Sequence, residues 1–192
     1  MKIDKSIKRC TWCGTDPLYM SYHDNEWGVP VYDDAKLFEF LILETFQAGL
    51  SWITVLRKRE NFRKAFDQFD YHKIAKYNED KFESLLQDAG IIRNKLKIKA
   101  TINNAKAFMS IQKEFGSFST YIWQFTNGKP IINNHTSLSD IPATTSLSDK
   151  LSIDLKKRDF KFVGSTVIYA HMQATGMVND HVKDCFRHKQ LL

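Results

Sequence analysis

Leu85-Leu86-Gln87-Asp88-Ala89-Gly90-Ile91-Ile92-Arg93-Asn94-Lys95 is the stretch on which the fold turns. Before it, Phe82, Leu85 and Leu86 recur at helical spacing, and after it Leu96, Ile98, Ile102, Ala105 and Phe108 do the same. Apolar residues three and four apart share one face of a helix. The connection Gly90–Asn94 is short enough that the two helices fold back on each other as a hairpin.

Outward from this hairpin the chain reads as helices throughout. Asp16-Pro17 is a helix start, an N-cap acceptor followed by a residue whose missing N–H costs nothing in the first turn. That helix runs to about Trp27 and places Tyr19, Tyr22, His23 and Glu26 on one face. After the turn Gly28-Val29-Pro30, Asp33 or Asp34 can cap a second helix carrying Leu37, Phe38, Phe40, Leu41, Ile42, Leu43 and Phe46. A helix apolar all round belongs at the centre. Gln47-Ala48-Gly49-Leu50 breaks the pattern, and Ser51 can cap a third helix from Trp52 to the charged stretch Arg57-Lys58-Arg59-Glu60. Further helices are expected near 71–77, 80–89, 118–125, 148–158 and 164–175, with a Ser/Thr-rich loop over 133–145. No run of strands, repeat or low-complexity segment stands out. The expected fold class is all-α: one helical domain over 1–192, with 1–8 a flexible N-terminal extension and 186–192 a C-terminal tail.

The 192 residues, 43% of them apolar, suffice for one real core. No stretch approaches the roughly 18 apolar residues of a membrane span, and the start lacks the apolar centre of a signal peptide. The expected location is the cytoplasm, with no membrane partner. Three cysteines, an odd number, argue against a disulfide framework and for reduced thiols. A net charge of +6 is compatible with a polyanionic partner but does not establish one.

Reduced cysteines beside histidines raise the question of a metal. His181 and Cys185 are four apart in a segment that reads as helical after Asn179-Asp180, so both project from one face. Cys10 and His23 supply a complementary pair. Two Cys and two His suit a tetrahedral zinc with every position filled, a structural site that would tie the N-terminal arm to the C-terminal tail. Spacing leaves an alternative open: Cys10 and Cys13 form a Cys-x-x-Cys pair that can ligate with His181 and Cys185, leaving His23 free. The plainer reading is that each is an ordinary buried or surface residue.

Trp12, Tyr19, Tyr22 and Trp52 lie beside turns or on short helices, where rings can line a cavity. Glu44 sits between Leu43 and Phe46, and a carboxylate there is costly to bury without a partner or a cationic ligand. It can equally face solvent or cap a neighbour. An anion inside an aromatic box suits a flat, positively charged heterocycle such as a methylated purine.

The segment 85–95 resembles the helix-hairpin-helix element of DNA repair proteins, whose backbone N–H groups face a DNA phosphate with cations nearby. Gly90 is present, and Ile92 stands where that element usually has its second glycine. Arg93, Lys95, Lys97 and Lys99 are placed to reinforce the contact. A plain helical hairpin with a solvated basic face is the alternative.

Four motifs carry a wider resemblance: Asp16-Pro17-Leu18-Tyr19, Tyr22-His23-Asp24-Asn25-Glu26-Trp27-Gly28, Gln47-Ala48-Gly49-Leu50-Ser51-Trp52 and Lys161-Phe162-Val163-Gly164. From about Arg9 to Cys185 the chain resembles the 3-methyladenine DNA glycosylase I family. The resemblance implies a helix-hairpin-helix DNA glycosylase fold with one structural zinc on Cys10, His23, His181 and Cys185, and Cys13 outside the set. It implies that Glu44 contacts the methylated base, and Glu44 is the expected catalytic residue. Tyr22 and Trp52 would stack on the base, and Trp12 and Tyr19 would complete the pocket. Gly49 and Leu50 can press into the gap left by a flipped nucleotide, with Gly90, Arg93 and Lys95 on the backbone. Superfamily relatives often carry a catalytic aspartate beyond the hairpin, whereas no aspartate occurs here between Asp88 and Asp140. The implied partners are double-stranded DNA containing alkylated bases and the product, free 3-methyladenine, handled by a monomer.

Overall fold

Asp16 sets the first element in the computed structural model, which describes residues 7–192. Residues 1–6 of the extension assigned to 1–8 lie outside the described residues. The Asp16 carboxylate accepts from the backbone N–H groups of Leu18 and Tyr19, at 2.9 and 3.3 Å, and Pro17 opens helix α1 (Pro17–Asn25). Asp33 caps α2 (Asp34–Gln47) through the Lys36 N–H. Asp34, the other candidate, instead accepts from the N–H groups of Phe118 and Ser119, capping α7 (Phe118–Trp123) from a distance.

Helix α3 (Trp52–Ala65) continues past the charged stretch expected to end it. Its arginines are neutralised by neighbours: Arg59 pairs with Glu26 and Glu39, and Arg63 with Glu39 and Glu60. Within the stretch Arg59 is buried and paired, while Arg57 and Glu60 stay exposed on a helix that runs on beneath them. The chain continues through α4 (Tyr71–Ile74), α5 (Glu79–Gln87) and the long α6 (Lys95–Phe115).

The α5–α6 hairpin is locked by local bonds. Asp88 accepts from Gly90 N–H at 2.7 Å, and Asn94 caps α6 through Lys97 N–H at 3.1 Å. Gly90 fits a tight space: a Cβ there would come within 2.9 Å of the Asp88 carboxylate and 3.2 Å of Asn61 Cβ, so both side chains would have to shift.

Helix α2 lies at the centre, and every side chain from Leu37 to Phe46 is buried. It touches α3, α6, α7 and α9 (Ser165–Ala174). Helices α8 (Ser146–Lys157) and α9 pack side by side as a second hairpin. Buried Asn104 on α6 grips the connection between them by bonding the Lys161 N–H and carbonyl, at 2.8 and 3.0 Å.

Two features depart from a purely helical reading. Ile131–Ile132 (β1) pairs in parallel with Val178–Asn179 (β2), a bridge too short to leave an alternating pattern in sequence. The segment from His181 to Cys185, expected to be helical, is not; α10 (Phe186–Gln190) begins only after it. There the Asn179 side chain takes the His181 N–H, at 3.2 Å, and Lys183 N–H crosses to the His135 carbonyl, at 2.9 Å. Such side-chain and loop bonds compete with helix formation. Residues 186–192 include α10 itself, whose His188 is buried and bonded to the Asn133 carbonyl. Phe186 N–H reaches the Lys8 carbonyl at 3.0 Å and Lys8 pairs with Asp184, so the start of the described chain meets the C-terminal segment.

Candidate functional site

The His181–Cys185 turn and the start of the described chain build one cluster. Cys10, His23, His181 and Cys185 are all buried, and one donor atom from each lies within 4.8 Å of the others. Cys10 Sγ is 3.5 Å from His181 Nδ1, while Cys185 Sγ is 3.4 Å from His23 Nε2 and 3.5 Å from His181 Nδ1. The far side of each imidazole is engaged: His23 Nδ1 meets Asp24 at 2.8 Å, and His181 Nε2 meets the Trp27 carbonyl at 3.0 Å. An imidazole that gives its N–H to such an acceptor turns a lone pair toward the cluster, the arrangement common behind metal-ligating histidines. Hydrogen bonding to the Cys10 thiol, then to the two imidazoles, holds Cys185 well below the usual thiol range, and Cys10 is raised in return. These donors fit a tetrahedral divalent ion. Cys13 lies outside the cluster, because the turn Thr11–Cys13 directs its thiol to the Cys10 carbonyl, at 3.1 Å. The four candidate ligands thus assemble without the helix that the sequence suggested for two of them.

Beside the cluster lies a pocket of about 290 Å³. All five residues expected there, Trp12, Tyr19, Tyr22, Glu44 and Trp52, line it. Helix α1 supplies the tyrosines, the middle of α2 supplies Glu44, and the first residue of α3 is Trp52. Trp12 lies 5.0 Å from Tyr19, and Tyr22 5.4 Å from Trp52, between ring centres. The remaining wall went unread in the sequence: Trp27, Gln47, Tyr169 and Gln173, under a roof from Leu138 to Ala143. Trp27 follows the Tyr19-Tyr22 stripe closely enough to have been suspected. The α9 and roof residues gave no signal, being brought in from far along the chain.

Glu44 is only 3% exposed, and its Oε2 has no hydrogen-bond partner among the described residues; neither has the buried Trp52 Nε1. Burial pushes the Glu44 carboxyl up to about 8. Desolvation, with Glu44 as the next cause, raises Tyr22 well above the ordinary phenol range. Pocket and cluster share a wall: Trp12 lies 5.2 Å from the His23 ring and Trp27 4.6 Å from the His181 ring.

The residues expected to meet DNA fall in two places. Gly49, with φ of 84°, and the exposed Leu50 form the turn between α2 and α3, beside Trp52. Gly90, Arg93 and Lys95 lie on the α5–α6 hairpin, with Arg93, Lys95 and Lys99 exposed. Lys97 is different. It is buried, and its Nζ donates to the carbonyls of Phe46 and Ala48 at 2.9 and 2.7 Å. This lysine closes the C-terminal end of α2, where cations are favoured, instead of facing solvent.

Comparison with known proteins agrees with this layout. A methyladenine glycosylase family profile matches residues 12–188. DNA-3-methyladenine glycosylase 1 of Escherichia coli is 55% identical over 179 residues, spanning 93% of this chain and 96% of its own. A crystal structure of 3-methyladenine DNA glycosylase I superposes with a TM-score of 0.91 at 54% identity, over 93% of this chain and 98% of that one. The Staphylococcus aureus 3-methyladenine DNA glycosylase I, solved for the structural basis of 3-methyladenine recognition, gives 0.90 at 36% identity, over 93% and 95%. With the profile covering most of the chain, and with sequence and fold in agreement, this protein belongs to the methyladenine glycosylase family.

Proposed function

We propose that this protein is a monofunctional DNA glycosylase that releases 3-methyladenine from alkylated double-stranded DNA by hydrolysing the N-glycosidic bond, opening base excision repair. The observation that carries the reading is Glu44: a buried carboxyl with an unpartnered oxygen, set in a box of aromatic rings, in a chain of this family.

A base is reached by taking it out of the stack, and an alkylated base with weakened pairing resists least. Tyr22 and Trp52 then stack on the purine, with Trp12 and Tyr19 closing the sides. Methylation at N3 gives the nucleoside a positive charge, which weakens the glycosidic bond and reduces the need for a general acid. Glu44 accepts hydrogen bonds from the base, and its carboxylate stabilises positive charge near the sugar as water attacks the anomeric carbon. The positive charge of a bound cationic purine favours the ionised form of Glu44, so the proton that burial retains at pH 7 passes to water and leaves the anion the reaction uses. No lysine lines the pocket among the described residues, which supports hydrolysis without a covalent amine intermediate.

Contact with DNA is assigned to a helix-hairpin-helix element at α5–α6, through Gly90, Arg93 and Lys95, with Gly49 and Leu50 pressing into the gap. Replacing Arg93 or Lys95 by alanine should weaken binding to all sequences alike and lower the salt slope by about one per residue. The metal is assigned as one structural zinc on Cys10, His23, His181 and Cys185. Sulfur and nitrogen ligands of a tetrahedral zinc lie about 3.5 Å apart, from bonds of about 2.3 and 2.0 Å. The sulfur-to-nitrogen separations of 3.4 and 3.5 Å support that ion. With all four positions filled by protein, zinc supplies no step of the reaction; it holds α1 to the C-terminal segment. The whole chain acts as one domain and a monomer in the cytoplasm, and no described helix is long and apolar enough to cross a membrane.

Incubation with methylated duplex DNA, followed by identification of the released bases, tests the assignment. Free 3-methyladenine is the expected product, and its absence overturns the reading.

A further inference from the structure

Asp180 is fully buried, and its carboxylate serves two parts of the pocket at once. Oδ2 accepts from the Tyr169 hydroxyl at 2.6 Å and from the Gln173 side-chain amide at 2.8 Å; both residues line the pocket from α9. Oδ1 accepts from the Asn133 amide at 2.6 Å and lies 3.2 Å from His135 Nε2. Those two residues begin the segment that continues into the pocket roof, Leu138 to Ala143.

At Oδ2 both partners donate, the Tyr169 hydroxyl and the Gln173 amide nitrogen. The Gln173 amide must therefore give its NH₂ to Asp180, which leaves its carbonyl oxygen as the group available to the pocket. Tyr169 likewise spends its hydroxyl proton on Asp180 and offers the ligand its ring. With Glu44, the pocket then presents two acceptors and no competing donor from Gln173.

We propose that Asp180 is a positioning residue for base recognition: by fixing the Gln173 amide it sets a second acceptor, beside Glu44, for the N–H groups of the base. This rests on the glycosylase reading above and adds to it a determinant of specificity. The acceptor matches the exocyclic amino group of an adenine, whereas 3-methylguanine carries a carbonyl at that position and would oppose acceptor to acceptor. Asparagine at 180 would offer an NH₂ of its own and allow the Gln173 amide to turn over.

The test is a double-mutant cycle in the zinc-loaded protein, read as quenching of the pocket tryptophans by free 3-methyladenine and by free 3-methylguanine. Asp180→Asn and Gln173→Met are each expected to weaken 3-methyladenine binding about tenfold, as for loss of one hydrogen bond. Both should narrow the preference over 3-methylguanine, and the double variant should be no weaker than either single one. Gln173 is half-buried, so Gln173→Met keeps the test open if Asp180→Asn folds poorly. Unchanged affinity and preference in Gln173→Met overturn the proposal, as does an Asp180→Asn effect that adds in full on the Gln173→Met background. A purely structural Asp180 would lower the melting temperature without that coupling. Failure of the wild-type protein to bind 3-methyladenine overturns the glycosylase reading, and this proposal with it.

Discussion

The cluster of Cys10, His23, His181 and Cys185 and the Glu44 pocket are both buried, both polar, and share the rings of Trp12 and Trp27 as a wall. They differ in what their polar atoms do. In the cluster, both nitrogens of His23 and of His181 and the two sulfurs are engaged. In the pocket, Glu44 Oε2 and Trp52 Nε1 have no partner among the described residues. A buried polar group without a hydrogen bond destabilises the fold, so natural sequences keep one mainly where a ligand completes it. On the proposed function, the completed region is the brace and the incomplete one the receptor. The same chemistry of burial would then serve stability on one side of the wall and recognition on the other.

Breaking the brace should have the largest effect. Cys185→Ser removes one of four ligands; because metal affinity is folding free energy in such a site, stability should fall by several kcal/mol, on the order of 10 °C in melting temperature. Metal analysis of the purified variant should find less than one zinc per chain, and a full complement would remove Cys185 from the set.

Breaking the receptor should leave the fold alone. Glu44→Gln should lower the rate of 3-methyladenine release about a hundredfold or more, roughly 3 kcal/mol in the barrier, with DNA affinity intact. Base release at the wild-type rate would take Glu44 out of the mechanism.

The same variant sharpens the contrast through pH. Glu44 titrates near 8 in the folded protein, above its ordinary value of 4.5, so the neutral carboxyl contributes its full stability below about 4.5 and loses it as pH rises through 8. Melting curves of wild type should therefore fall relative to Glu44→Gln between pH 5 and 9, leaving the variant the more stable at the alkaline end. Parallel curves would mean that Glu44 is solvated.

Cys13→Ser should do least. Among the described residues its thiol bonds locally, to the Cys10 and Gly14 carbonyls, so zinc is retained and stability changes by about 1 kcal/mol or less. Zinc lost from this variant would restore the Cys-x-x-Cys alternative and undo the comparison drawn above.

Much of both regions was legible in the sequence, for reasons that differ by residue. The Asp16-Pro17 start, the apolar α2 and the α5–α6 hairpin are local: capping chemistry and helical period act within a few residues. Lys97 shows where such reading fails. Its position in a run of cations at the start of α6 marks it as exposed, yet the close packing of α6 on α2 turns it inward onto two carbonyls. The segment between His181 and Cys185 fails for a related reason, since its helical spacing is overruled by Asn179 and His135.

The sequence by itself determined the helical class, the family motifs and the chemical types at the site, because composition, period and capping depend on neighbours along the chain. Its spacing and pattern alone could not choose between His23 and Cys13, nor say whether Glu44 faces solvent or pocket, though its family resemblance favoured His23 and the pocket. It also left Asp180, Tyr169 and Gln173 unremarked. Only the tertiary structure decided these, because direction and burial depend on side chains brought from distant positions: Cys185 onto His23, Gln173 over the pocket, and the apolar core around Glu44.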